Sequence, residues 1–286
     1  MQIIKHKTKI LFVDDDKDQI SSLQKAINLS GMDCIVYTDA QKALEEINMD
    51  VKRDTYNLNN IVQLFKNNKY KKQISTVISD YSMPELNGVE LLNQINNKDI
   101  YKILYTGVAD EKEGIKALNK DNIDVYYHKG QDIEDLINFL REGEDIYFRK
   151  LISPYLNKIK EDMYTNILYS KKYNEFFTKI VKNFSVIEYC LIDENGSFIL
   201  IDKKGKIYTL LVMSNNSLDA ELDIAKELKL SKKIVQDIKN KEKMIYISKY
   251  NKFEISDIIN CEQLDCEDET IKYAFIKKDI FKIIHP

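Results

Sequence analysis

Five side chains in the first half of this 286-residue chain have types and positions that could do chemistry together. Asp14 and Asp15 follow the apolar run Ile10-Leu11-Phe12-Val13, and Asp80 closes a run containing Val77 and Ile78. Thr106 follows Ile103-Leu104-Tyr105, and Lys129 stands just past Val125-Tyr126-Tyr127. Three carboxylates converging on one edge would repel one another unless something compensated them. Magnesium does so naturally, because it prefers hard oxygen ligands and keeps several waters. With a hydroxyl and an ammonium nearby, such a set can receive a phosphoryl group. The metal and the lysine neutralise its oxygens, the hydroxyl hydrogen-bonds one of them, and one aspartate attacks in line.

That chemistry requires elements that bring the five residues to one edge. Lys9–Val13 is a short, continuously apolar run, as expected of a strand buried on both faces. Ile20, Leu23 and Ile27 recur at helical spacing up to Leu29, and Gly31 sits where a helix would stop. Further strands are expected at Cys34–Tyr37, at Val77–Ile78 ending in Asp80, at Ile103–Tyr105 ending in Thr106, and at Val125–Tyr127. Helices alternate with them: one capped by Asp39 and carrying Ala43, Leu44 and Ile47, one with Val89, Leu92 and Ile95, a short one at Ile115 and Leu118, and one from Ile133 through Leu140. Five β-α units predict an α/β fold with a doubly wound, five-stranded parallel sheet, whose ligands bind at the carboxyl ends of the strands.

Here the sequence resembles the receiver domains of two-component response regulators. Ile10-Leu11-Phe12-Val13-Asp14-Asp15-Asp16 looks like the family's first strand and acidic pair. Asp80-Tyr81-Ser82-Met83-Pro84-Glu85-Leu86-Asn87-Gly88 matches its phosphoacceptor motif, D-x-x-M-P-x-x-[ND]-G. Leu104-Tyr105-Thr106-Gly107 matches its hydroxyl position and Lys129 its lysine, over about residues 8–142. The resemblance implies a flavodoxin-like receiver with Asp80 as phosphoacceptor. It implies a Mg²⁺ ion held by Asp14, Asp15, Asp80 and the backbone carbonyl of Ser82, with Thr106 and Lys129 on the phosphoryl group. Tyr126 sits where the family has its switch aromatic; ordinary half-buried packing is the other reading. The implied partners are a sensor histidine kinase or phosphotransfer protein and a downstream protein. The implied chemistry is phosphoacceptance with at most its own dephosphorylation, not an enzyme acting on other molecules.

Two departures stand out. Asp15 and Asp80 are farther apart than receivers usually place them. The excess falls at about 48–73, where Ile61, Leu64 and Phe65 predict a short helix and Lys66, Lys69, Lys71 and Lys72 form either a docking patch or a solvated face. Lys129 is followed by Gly130 where receivers usually carry a cis proline. A cis bond before glycine costs ~2.5–4 kcal/mol, so the loop is expected to present the lysine differently.

Beyond about residue 142 the pattern changes. The helix from Ile133 is expected to run toward Leu151 with Tyr147 and Phe148 on its apolar side, and Ser153-Pro154 reads as the start of a new helix carrying Leu156, Ile159, Met163 and Ile167. Phe176, Phe177, Ile180, Val181 and Phe184 form another helical stripe. These helices link two halves, and the sequence leaves open whether they also form a homodimer. Val186–Asp193, Ser197–Asp202 and Ile207–Met213 read as a β-meander, with later strands at Met244–Ile247 and Ile271–Ile276. The expected domains are a receiver at 1–142, a helical linker at 143–182, and a smaller α+β output or interaction domain with an antiparallel sheet at 183–286. Residues 224–238 superficially resemble a helix-turn-helix, which would make the chain a DNA-binding transcriptional regulator. The preceding meander, and Asp237 among the prospective phosphate contacts, favour a plain helix pair and a protein partner over DNA.

Composition removes several other functions. The 8 glycines include no pair spaced for G-x-G-x-x-G, for a Walker A loop, or for the Gly-Gly of a diguanylate cyclase. A formal charge of −3 argues against bulk nucleic-acid affinity. Cys34, Cys190, Cys261 and Cys266 lack zinc-site spacing and fit free thiols in a reducing cytoplasm. The three histidines, His6, His128 and His285, offer no rival centre. No apolar run is long enough for a membrane span or a secretory signal, so a cytoplasmic protein without membrane contact is expected.

Overall fold

Apolar runs without alternation become interior strands of a parallel sheet, and this rule builds the first unit. The structure, a computed structural model, describes residues 1–49, 73–107, 123–162, 167–193, 195–214, 218–245 and 258–277. They fall into two compact units: 7–49, 73–107 and 123–154 make one, and 1–6 with those from 155 onward make the other. The expected helices at Ile61–Phe65 and at Ile115–Leu118, and the lysine cluster Lys66–Lys72, lie outside the described residues.

In the first unit the strands β2 (Lys9–Val13), β3 (Asp33–Tyr37), β4 (Ile74–Asp80), β5 (Tyr101–Thr106) and β6 (Val125–His128) pair in parallel in the order β3-β2-β4-β5-β6. The chain runs outward from β2 to β3 and then crosses back to β4. The carboxyl ends of β2 and β4 therefore flank the point where the winding reverses, the usual ligand crevice of such sheets. Helix α1 (Lys17–Leu29) and the first part of α4 (Ile133–Asp162) lay Ile20, Leu23, Ile27, Leu136 and Leu140 against Ile10, Phe12, Ile78 and Ile103 on one face. Leu11 and Val13 alternate to the other face of the sheet, and α2 (Ala40–Met49) and α3 (Gly88–Asn93) bury Ala43, Leu44, Ile47, Leu91 and Leu92. Asp16 caps α1 through the amides of Asp18 and Gln19, and Asn87 with Glu90 forms a capping box on α3.

The second unit is a six-stranded antiparallel sheet in the order β1-β7-β8-β9-β13-β12. Its strands are β1 (Ile4–Lys5), β7 (Val186–Leu191), β8 (Phe198–Asp202), β9 (Ile207–Met213), β12 (Glu262–Asp265) and β13 (Thr270–Ile276). Helix α5 (Lys171–Asn183) packs Phe177 against Phe198 and Tyr189, with ring centroids 4.4 and 5.2 Å apart. Helices α6 (Leu218–Glu227) and α7 (Lys232–Lys239) share a core of Ala225, Ile238 and Ile245, and the hairpin β10 (Lys243–Ile245) with β11 (Ile258–Asn260) follows. The segment that resembles a helix-turn-helix is thus a helix pair fastened to the sheet. Buried Glu221 on α6 forms an ion pair with buried Lys272 on β13, and its other oxygen accepts the Ile245 amide at 2.8 Å.

Two expectations need correction. The limits 1–142, 143–182 and 183–286 fail at the N-terminus: Ile4 and Lys5 pair with Cys190 and Tyr189, so residues 1–6 belong to the antiparallel unit. A two-residue strand has too little pattern to read locally and forms because β7 offers it an edge. Nor does Pro154 open a helix, since α4 runs continuously through Ser153 and Pro154 to Asp162. Cap-then-proline is a local signal, and an interior proline forfeits one backbone donor that a long helix can tolerate. Among the described residues no helix is long and apolar enough to cross a membrane, and all four cysteines are free.

Candidate functional site

Strand ends set the positions of the five residues. Asp14 follows β2, Asp80 ends β4, Thr106 ends β5, and Lys129 is the first residue after β6. Asp14 and Asp80 are 1% and 4% exposed, while Asp15 is exposed; one carboxylate oxygen of each lies within 4.8 Å of the others. The Lys129 ammonium reaches into this cluster, 2.5 Å from Asp80 Oδ1 and 3.3 Å from Asp14 Oδ2. The other oxygen of Asp80 accepts the Ser82 backbone N–H at 3.1 Å, and Asp14 Oδ1 accepts the Asp16 N–H at 2.8 Å. Asp80 is therefore held by both oxygens and has little freedom to swing.

The charge balance at the edge is unfavourable by itself. Burial raises the Asp14 carboxyl above its ordinary value; the Asp80 carboxylate adds to this, while the Asp16 amide and Lys129 oppose it. Burial also works against the Lys129 charge, but the hydrogen bond to Asp80 and the fields of Asp80 and Asp14 outweigh it and hold the amine above the ordinary lysine value. One ammonium against three carboxylates leaves a surplus of negative charge on hard oxygen donors. That donor set suits Mg²⁺.

Local chain geometry explains how Lys129 gets there. Its amide donates to the Thr106 carbonyl at 2.7 Å, and the Gln131 amide closes a turn onto the His128 carbonyl at 3.2 Å. Gly130 occupies the third position of that turn at φ +99°, a backbone region where a turn of the type II class needs glycine. Among the described residues no peptide bond is cis. The Gly130 exchange thus reflects a different turn, and the lysine still reaches both aspartates.

The other expected residues fall as follows. The Thr106 hydroxyl is buried and donates to the Gly107 carbonyl at 3.3 Å. Ser82 contacts Asp80 through its N–H, a contact the sequence reading lacked. Tyr126 pairs with Leu104 on the face opposite Tyr127, and its buried hydroxyl finds no hydrogen-bond partner among the described residues. Sequence reasoning missed Tyr105. Its ring lies under the Lys129 ammonium at 5.0 Å and stacks on Tyr127 at 5.9 Å. Its place one residue before Thr106 was the available signal, but it reads as ordinary core.

Residues 10–141 match the response regulator receiver domain family. This segment is a receiver domain. The likeness of the whole chain extends further than the receiver. It is similar to the solved structure of the Legionella pneumophila response regulator LqsR, with 26% identity, a TM-score of 0.77, and coverage of 98% of this chain and 90% of that one. It is also similar to the Arabidopsis thaliana two-component response regulator ARR6, 20% identical over 166 residues, spanning 53% of this chain and 83% of that protein. A CheY-like receiver domain protein from Methanospirillum hungatei JF-1 is 21% identical with a TM-score of 0.40, covering 51% of this chain and 99% of its own. In this receiver the acidic cluster lies at the carboxyl edge, with the lysine between two of its aspartates.

Proposed function

We propose that the chain works in a phosphorelay, taking a phosphoryl group onto Asp80 from a histidine kinase or a histidine phosphotransfer protein in the cytoplasm. The single observation that carries this reading is Lys129 bridging Asp80 and Asp14 inside a cluster of three carboxylates. An oxygen of Asp80 forms a bond to phosphorus as the phosphorus–nitrogen bond of the donor phosphohistidine breaks, and the imidazole leaves with the electron pair. The Ser82 N–H keeps one Asp80 oxygen directed, which favours in-line attack by the other. Asp14, Asp15, Asp80 and the Ser82 carbonyl would hold Mg²⁺, which would supply positive charge for the phosphoryl oxygens. Lys129 exchanges its contact with Asp80 for one with a phosphoryl oxygen. The Thr106 hydroxyl, whose present bond to Gly107 is long, turns to another.

The C-terminal unit then signals by contact with a protein. This is supported by the way α6 is tied to the sheet through Glu221 and Lys272, and by the pairing of Asp237 on α7 with Lys243 at 3.0 Å. Intact mass after incubation with acetyl phosphate and Mg²⁺ tests the first step. One added phosphoryl mass in the wild type and none in Asp80→Asn is expected; equal labelling of both sinks the reading. For the output, phosphorylated protein is expected to show no tight, steeply salt-dependent DNA binding, the behaviour that a DNA-binding regulator would display.

A further inference from the structure

From the ring of Tyr105 under Lys129, we infer that Tyr105 is a positioning residue for the lysine side chain. The inference rests on the phosphoacceptor reading for its functional meaning, but its geometric basis is separate. The Lys129 ammonium sits 5.0 Å from the centre of the Tyr105 ring while it bridges Asp80 and Asp14. An ammonium over an aromatic face is attracted by the ring's negative π-cloud, more strongly where water is excluded. The turn fixes the Lys129 backbone, whose amide donates to the Thr106 carbonyl at 2.7 Å, but Gly130 puts no side chain beside the lysine, so the position of the ammonium is left to its side-chain contacts.

Tyr105 is itself held on three sides. Its backbone pairs with Asp80 across β4 and β5, and its carbonyl accepts the Tyr81 amide at 3.0 Å. Phe12 meets its ring edge-on at 5.7 Å, and Tyr127 stacks on it at 5.9 Å with the planes 17° apart. Tyr127 in turn donates its hydroxyl to the Asp132 carbonyl at 2.8 Å and meets Phe139 of α4 edge-on at 6.5 Å. The platform under the lysine is therefore built from β2, β5, β6 and the start of α4. A smaller aliphatic side chain at 105 would leave the ammonium tethered only by its two carboxylates and its flexible stem.

The test uses the full chain as wild type, Tyr105→Phe and Tyr105→Leu, with thermal melts to verify folding. The first readout is independent of phosphorylation: the rate at which acetic anhydride acylates the Lys129 amine, followed by peptide mass. Phenylalanine keeps the ring and is expected to react at the wild-type rate. Leucine is expected to expose the amine and raise that rate about two- to thirtyfold, the range a cation–π contact spans. The second readout is the rate of labelling by acetyl phosphate with Mg²⁺, which Tyr105→Leu should lower by a similar factor and Tyr105→Phe should leave alone. In a Lys129→Ala background the leucine effect on labelling should vanish, which a merely structural role would not produce. Equal Lys129 acylation in wild type and Tyr105→Leu, or a loss of labelling that persists without Lys129, overturns the inference. A wild type that takes no phosphoryl group at all overturns the phosphoacceptor reading instead, and the acylation result still decides whether Tyr105 positions the lysine.

Discussion

Gly88 stands so close to Asp80 that a β-carbon on it would lie 2.0 Å from the Asp80 carbonyl oxygen and 2.9 Å from Ser79 Oγ. The first turn of α3 is therefore seated directly on the end of β4, and its amide donates to the Tyr81 carbonyl at 3.0 Å. Gly88→Ala must push backbone against backbone. It is expected to cost at least about 1–3 kcal/mol, read as a lower urea midpoint at unchanged slope, and to slow labelling of Asp80 because the strand end moves. An unchanged midpoint would contradict this seating.

The crowded carboxylates make a prediction about pH and metal. Burial, then the field of Asp80, raises the Asp14 carboxyl above its ordinary value, so the folded chain binds that proton more tightly than the unfolded chain. The stability from this group is present below the ordinary carboxyl value and is lost as pH rises through the raised folded value. Asp14→Asn should accordingly raise the urea midpoint at neutral pH without Mg²⁺, with the gain shrinking as pH falls into the carboxylate range. Mg²⁺ at 100 times its dissociation constant should add about 2.7 kcal/mol to the wild type and clearly less to Asp14→Asn. A variant less stable than wild type at neutral pH, or one equally stabilised by Mg²⁺, would refute the argument.

The turn at Lys129 can be tested from the backbone alone. At φ +99° alanine is strained although nothing crowds it, and Gly130→Ala should cost about 1–2 kcal/mol. Gly130→Pro should cost more, because proline's ring holds φ near −65°. Restoring the proline that receivers usually carry is thus expected to damage this receiver. Thermal melts of the two variants decide it, and a stabilised proline variant would show that the turn is readily remade.

In the C-terminal unit, the buried pair of Glu221 and Lys272 offers a test of what holds the helix pair to the sheet. Lys272→Met alone leaves a buried carboxylate uncompensated and should cost about 3–5 kcal/mol. Adding Glu221→Gln removes the charge yet keeps an oxygen for the Ile245 amide, so the double variant should recover most of the loss. Urea unfolding of the two single variants and the double variant measures the coupling, and simple additivity would rule it out.

Much of the receiver was legible in the sequence because its signals are local. Apolar runs such as Lys9–Val13 pick out buried strands, and the residues immediately after them must land at one edge, whatever else the chain does. Asp14, Asp15, Asp80, Thr106 and Lys129 could therefore be placed together from spacing and type. The meander, with hairpins signalled by Gly196 and Gly205, was legible for the same reason.

Tertiary structure alone decided the rest. Ile4–Lys5 becomes a strand only because β7 presents an open edge, and Pro154 lies inside α4 although its local signal marks a helix start. Glu221 meets Lys272, the Tyr105 ring meets Lys129, and the Gly88 backbone meets Asp80 across separations that no periodicity encodes. Residue type and spacing determine which elements form and which face each turns inward. Strand register and close packing determine which distant side chains then touch, and in this receiver they decide how firmly Asp80 and its lysine are held.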